Sequence, residues 1–274
     1  MQFSFVVSKR LGYQIPNLFE TPESFEEFKK ALSLLKANGF DGVELNLNFS
    51  DKSLLTRIKG TIDEAGLKLA AVGTGLLYTN DHLSFTDPDP AKQAQAVSIV
   101  KGLVRFASEA HANTIIGTVR GASPLDSDST ELLGKHLEEC DSTAEEYGTN
   151  LALEAINRYE MQSLNRAEEV VTLIDALKLR ASGLLLDTFH MNIEERSIEN
   201  TLSNYLSRIV HFHIADSNRW PPGNGHLNVD ALLKQLMDLG YRGWVSAEAL
   251  PRPTRVDAVK ETADYLKRCN LLAH

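Results

Sequence analysis

The chain has 274 residues, enough for two small domains or one large barrel, and its 43% hydrophobic and 24% charged residues are ordinary for a globular protein. Its net charge of −9 argues against binding of nucleic acid or of anionic membranes, because both of these partners need a basic face. With two cysteines, no apolar stretch long enough to span a membrane and no signal-peptide pattern, the sequence argues against a disulfide framework and predicts a cytoplasmic protein.

Short apolar runs recur along the chain, with helical patterns between them. Runs of this length are typical of buried parallel strands. Eight strands are predicted, near residues 3–8, 42–48, 68–74, 113–119, 150–154, 183–187, 208–214 and 243–248. The first helix is predicted to begin at Thr21-Pro22, and Asp89-Pro90 opens a long third helix.

The same junction recurs between helix and strand, and it contains a glycine: Gly39, Gly66, Gly148 or Gly240. Such a glycine supplies the left-handed residue that ends a helix. Eight β/α alternations without a linker predict a single (β/α)8 TIM barrel domain spanning residues 1–274. A doubly wound open sheet is the alternative, but it needs a glycine-rich phosphate loop after the first strand, and residues 8–13 do not form one.

Four potential ligands each follow a short apolar run: Glu154, Asp187, His213 and Glu248. An α/β barrel carries its chemistry at the carboxyl ends of its strands. Three carboxylates and one imidazole suit an octahedral site for one divalent ion of the Mn²⁺, Mg²⁺ or Co²⁺ type. The alternative for any one acidic residue is that it caps the next helix or pairs with a loop arginine. His211 alternates with His213 and is expected to be hydrogen-bonded beneath the site.

Three segments carry a resemblance to a known family. They are residues 154–160 (Glu-Ala-Ile-Asn-Arg-Tyr-Glu), 187–195 (Asp-Thr-Phe-His-Met-Asn-Ile-Glu-Glu) and 211–219 (His-Phe-His-Ile-Ala-Asp-Ser-Asn-Arg). As a set they resemble the D-tagatose/D-psicose 3-epimerases, or ketose 3-epimerases, which are xylose isomerase-like barrels. The resemblance covers nearly the whole chain. It implies a small sugar or sugar-acid substrate and a homodimer or homotetramer.

The resemblance also implies the mechanism. Glu154, Asp187, His213 and Glu248 would bind one divalent metal ion, which would polarise the ketone and stabilise a cis-enediolate. Glu154 and Glu248 would act as the acid/base pair on opposite faces of C3, one removing a proton and the other returning one.

Substrate contacts are implied for three further residues. Glu160, His190 and Arg219 would hold the C1–C3 end of an open-chain ketose. Glu160 could instead be solvated, His190 could be purely structural, and Arg219 could pair with Asp216.

Arg120 is the last predicted site residue. The segments at 73–75, 115–121, 218–223 and 247–250 resemble a branch that includes keto-uronate (5-keto-gluconate type) epimerases. Arg120 is therefore predicted to clamp a carboxylate or a far hydroxyl of the substrate. Pairing of Arg120 with a nearby acid such as Asp126 is an equally good interpretation.

Other functions remain open at this point. Hydroxypyruvate isomerase or another aldose–ketose isomerase would use similar ligands but move a proton between C1 and C2. A DNA-repair enzyme of the endonuclease IV type needs three zinc ions and extra histidines, whereas residues 73–75 and 119–121 contain none. A non-catalytic sugar-binding protein is the remaining alternative.

Overall fold

The computed structural model describes residues 1–272, so the last two residues of the predicted domain 1–274 lie outside the described residues. Within this range the chain forms nine β-strands, ten α-helices and two short 3-10 helices. The strands are β1 (Gln2–Ser8), β2 (Tyr13–Gln14), β3 (Gly42–Asn46), β4 (Lys68–Gly73), β5 (Asn113–Ile116), β6 (Leu151–Glu154), β7 (Ser182–Asp187), β8 (Ile209–Ile214) and β9 (Trp244–Ala247). The α-helices are α1 (Pro22–Ala37), α2 (Lys52–Glu64), α3 (Gly75–Thr79), α4 (Pro90–Ser108), α5 (Ser127–Tyr147), α6 (Ala167–Leu177), α7 (Thr188–Glu194), α8 (Ile198–Tyr205), α9 (Val229–Asp238) and α10 (Arg255–Arg268). The 3-10 helices are Thr118–Arg120 and Leu206–Arg208.

The strands close into a parallel barrel. In the order β1-β3-β4-β5-β6-β7-β8-β9 each strand pairs with the next, and β9 pairs back with β1 in parallel, with Phe5 opposite Ala247. This closure confirms the predicted (β/α)8 fold and excludes the open-sheet alternative. The two-residue β2 was not predicted, and it pairs with the end of β1, where Val7 lies opposite Tyr13.

The two predicted helix starts are capped by polar side chains. Thr21 caps α1 by accepting a hydrogen bond from the backbone N–H of Ser24, and Asp89 caps α4 through the N–H of Ala91. Both helices continue with a proline, whose missing N–H costs nothing in the first turn. The helix predicted as the third is α4, because the five-residue α3 lies in the long loop after β4.

All four junction glycines adopt the left-handed conformation that the sequence predicted. Their φ angles are 91° at Gly39, 67° at Gly66, 64° at Gly148 and 93° at Gly240. Since glycine has no Cβ, it enters this region without the steric cost that other residues meet.

The fifth strand ends earlier than predicted. The run at 113–119 is a strand only to Ile116, because Gly117 (φ −105°, ψ −115°) leaves the extended conformation and a 3-10 turn follows. A Cβ at Gly117 would lie 2.8 Å from Oε2 of Glu154. The absence of a side chain there makes room for a carboxylate at the end of the neighbouring strand.

Apolar side chains fill the space between the barrel and its helices, and a second, smaller cluster joins β4 to β7 through Ala71, Ile115, Ala152 and Leu185. Fully buried polar side chains also occur on the strands, among them Ser4, Glu44, Thr114, Asp187, His211, His213 and Ser246. Buried polar groups must find partners or ligands, so these side chains indicate where a site is expected. No helix within residues 1–272 combines the length and apolarity that crossing a membrane requires.

Candidate metal centre

Four adjacent strands bring four ligand-type side chains together at their carboxyl ends. Glu154 and Asp187 are the last residues of β6 and β7, His213 lies next to the end of β8, and Glu248 directly follows β9. Each offers one ligand atom, and these atoms lie within 4.8 Å of one another. All four side chains are buried. The four residues predicted as ligands from the sequence therefore lie together in the structure.

The electrostatics of this cluster fit a bound cation. Burial and the neighbouring Glu248 raise the pKa of Glu154 to about 8, and burial raises the pKa of Asp187 to about 6. Two atoms of the cluster, Asp187 Oδ2 and His213 Nδ1, are buried without a hydrogen-bond partner in the described chain. A divalent ion would give both atoms a partner and neutralise the carboxylates, and the oxygen-rich donor set suits Mg²⁺ or Mn²⁺.

A fifth residue, Glu44 on β3, lies against the cluster and was missed in the sequence. Its Oε2 lies 3.1 Å from Nε2 of His213 and 2.9 Å from Nε2 of His211. Burial favours the neutral imidazole of His213, but the Glu44 carboxylate outweighs it and raises the pKa of His213 to about 10. The sequence feature that could have indicated Glu44 is an acidic residue inside an otherwise apolar strand, Gly-Val-Glu-Leu-Asn. His211 is hydrogen-bonded and fully buried, as predicted.

His190 faces the cluster with one nitrogen and is held by the other. Its Nε2 lies 3.6 Å from Oε1 of Glu154, and its Nδ1 lies 2.6 Å from Nδ2 of Asn157. The Oδ1 of Asn157 accepts a hydrogen bond from the backbone N–H of Tyr159 at 2.9 Å, which leaves the amide NH₂ toward His190. Burial holds the pKa of His190 well below its usual value. The neutral ring therefore accepts at Nδ1 and presents Nε2–H. Asn157 is a second site residue that the sequence analysis did not select.

Arg219 links two carboxylates at the rim of the cluster. Its Nη1 donates to Glu160 at 2.7 Å and its Nη2 donates to Glu248 at 2.8 Å. Its guanidinium lies 5.0 Å from the ring centre of Phe189. The pairing of Arg219 with Asp216 that was considered from the sequence is not what the structure has, because the Asp216 carboxylate accepts from backbone N–H groups of its own loop, including that of Gly223.

One cavity of about 510 Å³ opens above the cluster. Six of the eight predicted site residues line it: Glu154, Glu160, His190, His213, Arg219 and Glu248. The opposite wall comes from the loops after β1 and β4, including Arg10 and Tyr78. A cavity of this size, with a few polar groups converging at its base, is typical of a small-molecule site.

Arg120 lies outside the lining of this cavity. Its side chain is fully buried, and Nη1 donates to the backbone oxygen of Glu154 at 2.6 Å. Burial lowers the pKa of Arg120 to about 10. Asp126, its alternative partner, instead caps α5 by accepting from the backbone N–H of Ser129. The predicted contact of Arg120 with substrate stays a prediction.

Comparison with known proteins adds to this geometry. The family described as xylose isomerase-like TIM barrel matches residues 32–269. A D-psicose 3-epimerase from Enterocloster bolteae is 29% identical over 246 residues, which cover 85% of this chain and 80% of the relative. A 3-dehydro-D-guloside 4-epimerase from Escherichia coli is 26% identical over 252 residues, covering 89% of this chain and 95% of the relative. The solved structure of the 3-keto-D-glucoside 4-epimerase from E. coli, in its apo form, has the same fold, with a TM-score of 0.82 at 22% identity over 98% of this chain and 100% of that one.

Proposed function

The chain belongs to the xylose isomerase-like TIM barrel family, and from this premise we propose that it is a divalent-metal-dependent sugar epimerase. Its reaction would invert C3 of a free ketose or keto-sugar acid through a cis-enediolate. The observation that carries the proposal is the pair of buried carboxylates, Glu154 and Glu248, inside a cluster that fits a divalent ion. The two relatives named above support the reaction type, since both are named as epimerases.

Inversion next to a ketone requires two proton-transfer groups. A single base returns its proton to the face from which it came, so it cannot invert the carbon unless the substrate turns over. Glu154 and Glu248 would supply the two groups from the ends of β6 and β9, which are separated in the barrel by β7 and β8. A divalent ion bound by Glu154, Asp187, His213 and Glu248 would polarise the ketone and stabilise the negative charge that develops when the proton leaves.

The remaining side chains would orient the sugar. His190 presents a neutral Nε2–H toward the cavity, so it would donate a hydrogen bond to a sugar oxygen rather than take a proton. Arg219 keeps Glu248 and Glu160 in fixed positions through its two donors and would leave Glu160 as an acceptor for a sugar hydroxyl. Arg120 would hold Glu154 in position through the hydrogen bond that it donates to the backbone oxygen of Glu154.

A second candidate is inversion of C4 in a 3-keto sugar. The E. coli relative with the 4-epimerase name aligns over 95% of its own length, more than the D-psicose 3-epimerase does. The chemistry is the same in both cases, because the inverted carbon is adjacent to the ketone. The same two carboxylates would serve, and the sugar would sit shifted by one carbon.

The test is a substrate panel in D₂O. EDTA-stripped protein with and without added Mn²⁺ is incubated with free ketohexoses, keto-sugar acids and 3-keto glycosides, and NMR locates the deuterium. We expect Mn²⁺-dependent epimerisation with deuterium at C3 of a 2-ketose. Deuterium at C4 of a 3-keto sugar identifies the second candidate, and conversion to an aldose or semialdehyde identifies an aldose–ketose isomerase. Absence of exchange on every substrate, with metal bound, would mean a sugar-binding protein.

Two variants test the assignment of Glu154 and Glu248 as the acid/base pair. Glu154→Gln and Glu248→Gln should each lower kcat by about 100-fold or more, because general acid–base catalysis contributes on that order. Glu146→Gln is the matched control, since Glu146 is exposed on α5 and outside the cavity, and it should keep wild-type turnover. Full activity in either cavity variant would contradict the assignment.

A further inference from the structure

A carboxylate with almost no exposure lies directly against the four-residue cluster. Glu44 on β3 is 1% exposed, and its single oxygen Oε2 contacts the Nε2 atoms of both His211 and His213, at 2.9 and 3.1 Å. These are hydrogen-bond distances. Because a carboxylate accepts and does not donate, each imidazole must place its proton on Nε2.

This proton placement decides what His213 can do. An imidazole that donates through Nε2 and is neutral has its lone pair on Nδ1, the nitrogen that a metal needs. The Nδ1 of His213 has no hydrogen-bond partner within the described residues and lies 3.8 Å from Oε2 of Glu248. The nitrogen that Glu44 leaves free is therefore the one directed at the cluster of carboxylates.

Glu44 reaches the two histidines from a strand that is not adjacent to theirs in the barrel. β3 and β8 are separated in the barrel by β1 and β9, so the contact crosses the interior. Below it the polar chain continues, because His211 Nε2 also lies 2.9 Å from Ser246 Oγ, and Ser246 Oγ lies 2.6 Å from Ser4 Oγ. All of these side chains are buried, and Glu44 and His213 also line the cavity.

We propose that Glu44 is a positioning residue that fixes the ring orientation and tautomer of His213, so that Nδ1 is presented to the divalent ion. The proposal rests on the proposed function in one respect, namely that the cluster of Glu154, Asp187, His213 and Glu248 binds such an ion. In this role Glu44 would not be a ligand of the ion. Its contribution passes through the imidazole of His213.

Metal affinity measures this role without reference to turnover. Mn²⁺ binding to EDTA-stripped full-length protein is followed by titration calorimetry for the wild type, Glu44→Gln and Glu44→Ala. We expect one ion per chain and a loss of affinity of about 10-fold for Glu44→Gln and up to about 100-fold for Glu44→Ala, the range that such outer partners contribute. Gln keeps a neutral acceptor for Nε2–H, which is why the smaller loss is expected.

Ser246→Ala provides the matched control. Ser246 is equally buried and belongs to the same polar chain, but its hydroxyl group hydrogen-bonds with His211 and Ser4 and not with the imidazole of His213. Its removal should leave Mn²⁺ affinity within about twofold of the wild type. The thermal midpoint of each metal-free variant, together with its circular dichroism, identifies any variant that has lost its fold.

The tautomer gives a second readout. In Mg²⁺-loaded protein labelled with ¹⁵N-histidine, the His213 resonance should report a proton on Nε2 and none on Nδ1, with assignment from its loss in His213→Asn. A proton on Nδ1 would overturn the proposal. So would wild-type Mn²⁺ affinity in folded Glu44→Ala, or two ions per chain with one lost in Glu44→Gln, which would make Glu44 a ligand. If the wild type itself binds no ion, the proposed function fails instead.

Discussion

At the scale of single residues, the two histidines of the cavity are held in opposite ways. Glu44 accepts from Nε2–H of His213 and leaves Nδ1 directed at the carboxylate cluster, whereas Asn157 donates to Nδ1 of His190 and leaves the proton on Nε2. Under the proposed function, one imidazole would thereby act as a metal ligand and the other as a hydrogen-bond donor to the sugar, although their rings are chemically identical. The orientation of the Asn157 amide follows from the backbone N–H of Tyr159, because this donor needs the amide oxygen, and not the NH₂ group, as its acceptor.

This arrangement predicts the effect of Asn157→Asp. A carboxylate at this position can only accept a hydrogen bond, so the neutral ring of His190 places its one proton on Nδ1, and the Nε2 that faces the cavity loses its hydrogen. The donor to the sugar would be lost, and we expect kcat to fall about tenfold or more, the equivalent of one hydrogen bond of about 1.4 kcal/mol. Steady-state kinetics on the preferred substrate measure it. Asn200→Asp makes the same change at an exposed position of α8 and should leave kcat unaltered. Equal kcat for Asn157→Asp and the wild type would contradict the donor role of His190.

The sequence could identify the four clustered residues but not the two side chains that orient the histidines. Glu154, Asp187, His213 and Glu248 are visible because each lies at the end of an apolar run, and parallel strands end on the same side of a sheet. Glu44 sits in mid-strand, and its partner is 169 residues away in sequence. Asn157 lies within the segment 154–160, but the direction of its amide is set by a backbone group that no residue pattern reveals.

At the scale of elements, the junctions between helices and strands were predictable because they depend on local backbone chemistry. Gly39, Gly66, Gly148 and Gly240 all adopt positive φ. The end of β5 was not predictable, because the apolar run continues through Val119 while the chain turns at Gly117 to make room for Glu154. The pattern of apolar residues does not show that the end of β5 approaches Glu154 on β6 this closely.

Two glycine substitutions separate backbone strain from steric contact. At Gly148 a Cβ would meet nothing within 4 Å, but φ is 64°, so Gly148→Ala should lower the free energy of unfolding by about 1 kcal/mol through strain alone. Gly60 also has free space, but it lies inside α2 with ordinary helical φ. Gly60→Ala should therefore raise the free energy of unfolding by about 0.5–1 kcal/mol. Urea denaturation of the two variants measures both, and a change of the same sign in both would contradict the strain argument.

At the scale of the whole molecule, closure of the barrel is what turns distant residues into one site. The repeated β/α alternation predicted the closed barrel, and the pairing of β9 with β1 places Glu248 beside a cavity whose other wall follows β1 and β4. Closure also imposes a cost, because three carboxylates from separate strands are buried within 4.8 Å of one another. Like charges in a buried position oppose folding unless a cation or a proton neutralises them.

Removal of metal should therefore weaken the whole barrel. Saturating Mn²⁺ at about 100 times its Kd adds about 2.7 kcal/mol to the stability of the folded state, so we expect the thermal midpoint of EDTA-stripped protein to rise by about 5 °C. Asp187→Asn tests the cause. Asn keeps the cap on α7, which Asp187 provides through the N–H of Phe189, but removes one charge. Scanning calorimetry should show this variant melting about 2–4 °C above the metal-free wild type, with a smaller response to Mn²⁺. Destabilisation of metal-free Asp187→Asn would mean that hydrogen bonding of the carboxylate, and not charge repulsion, governs the cluster.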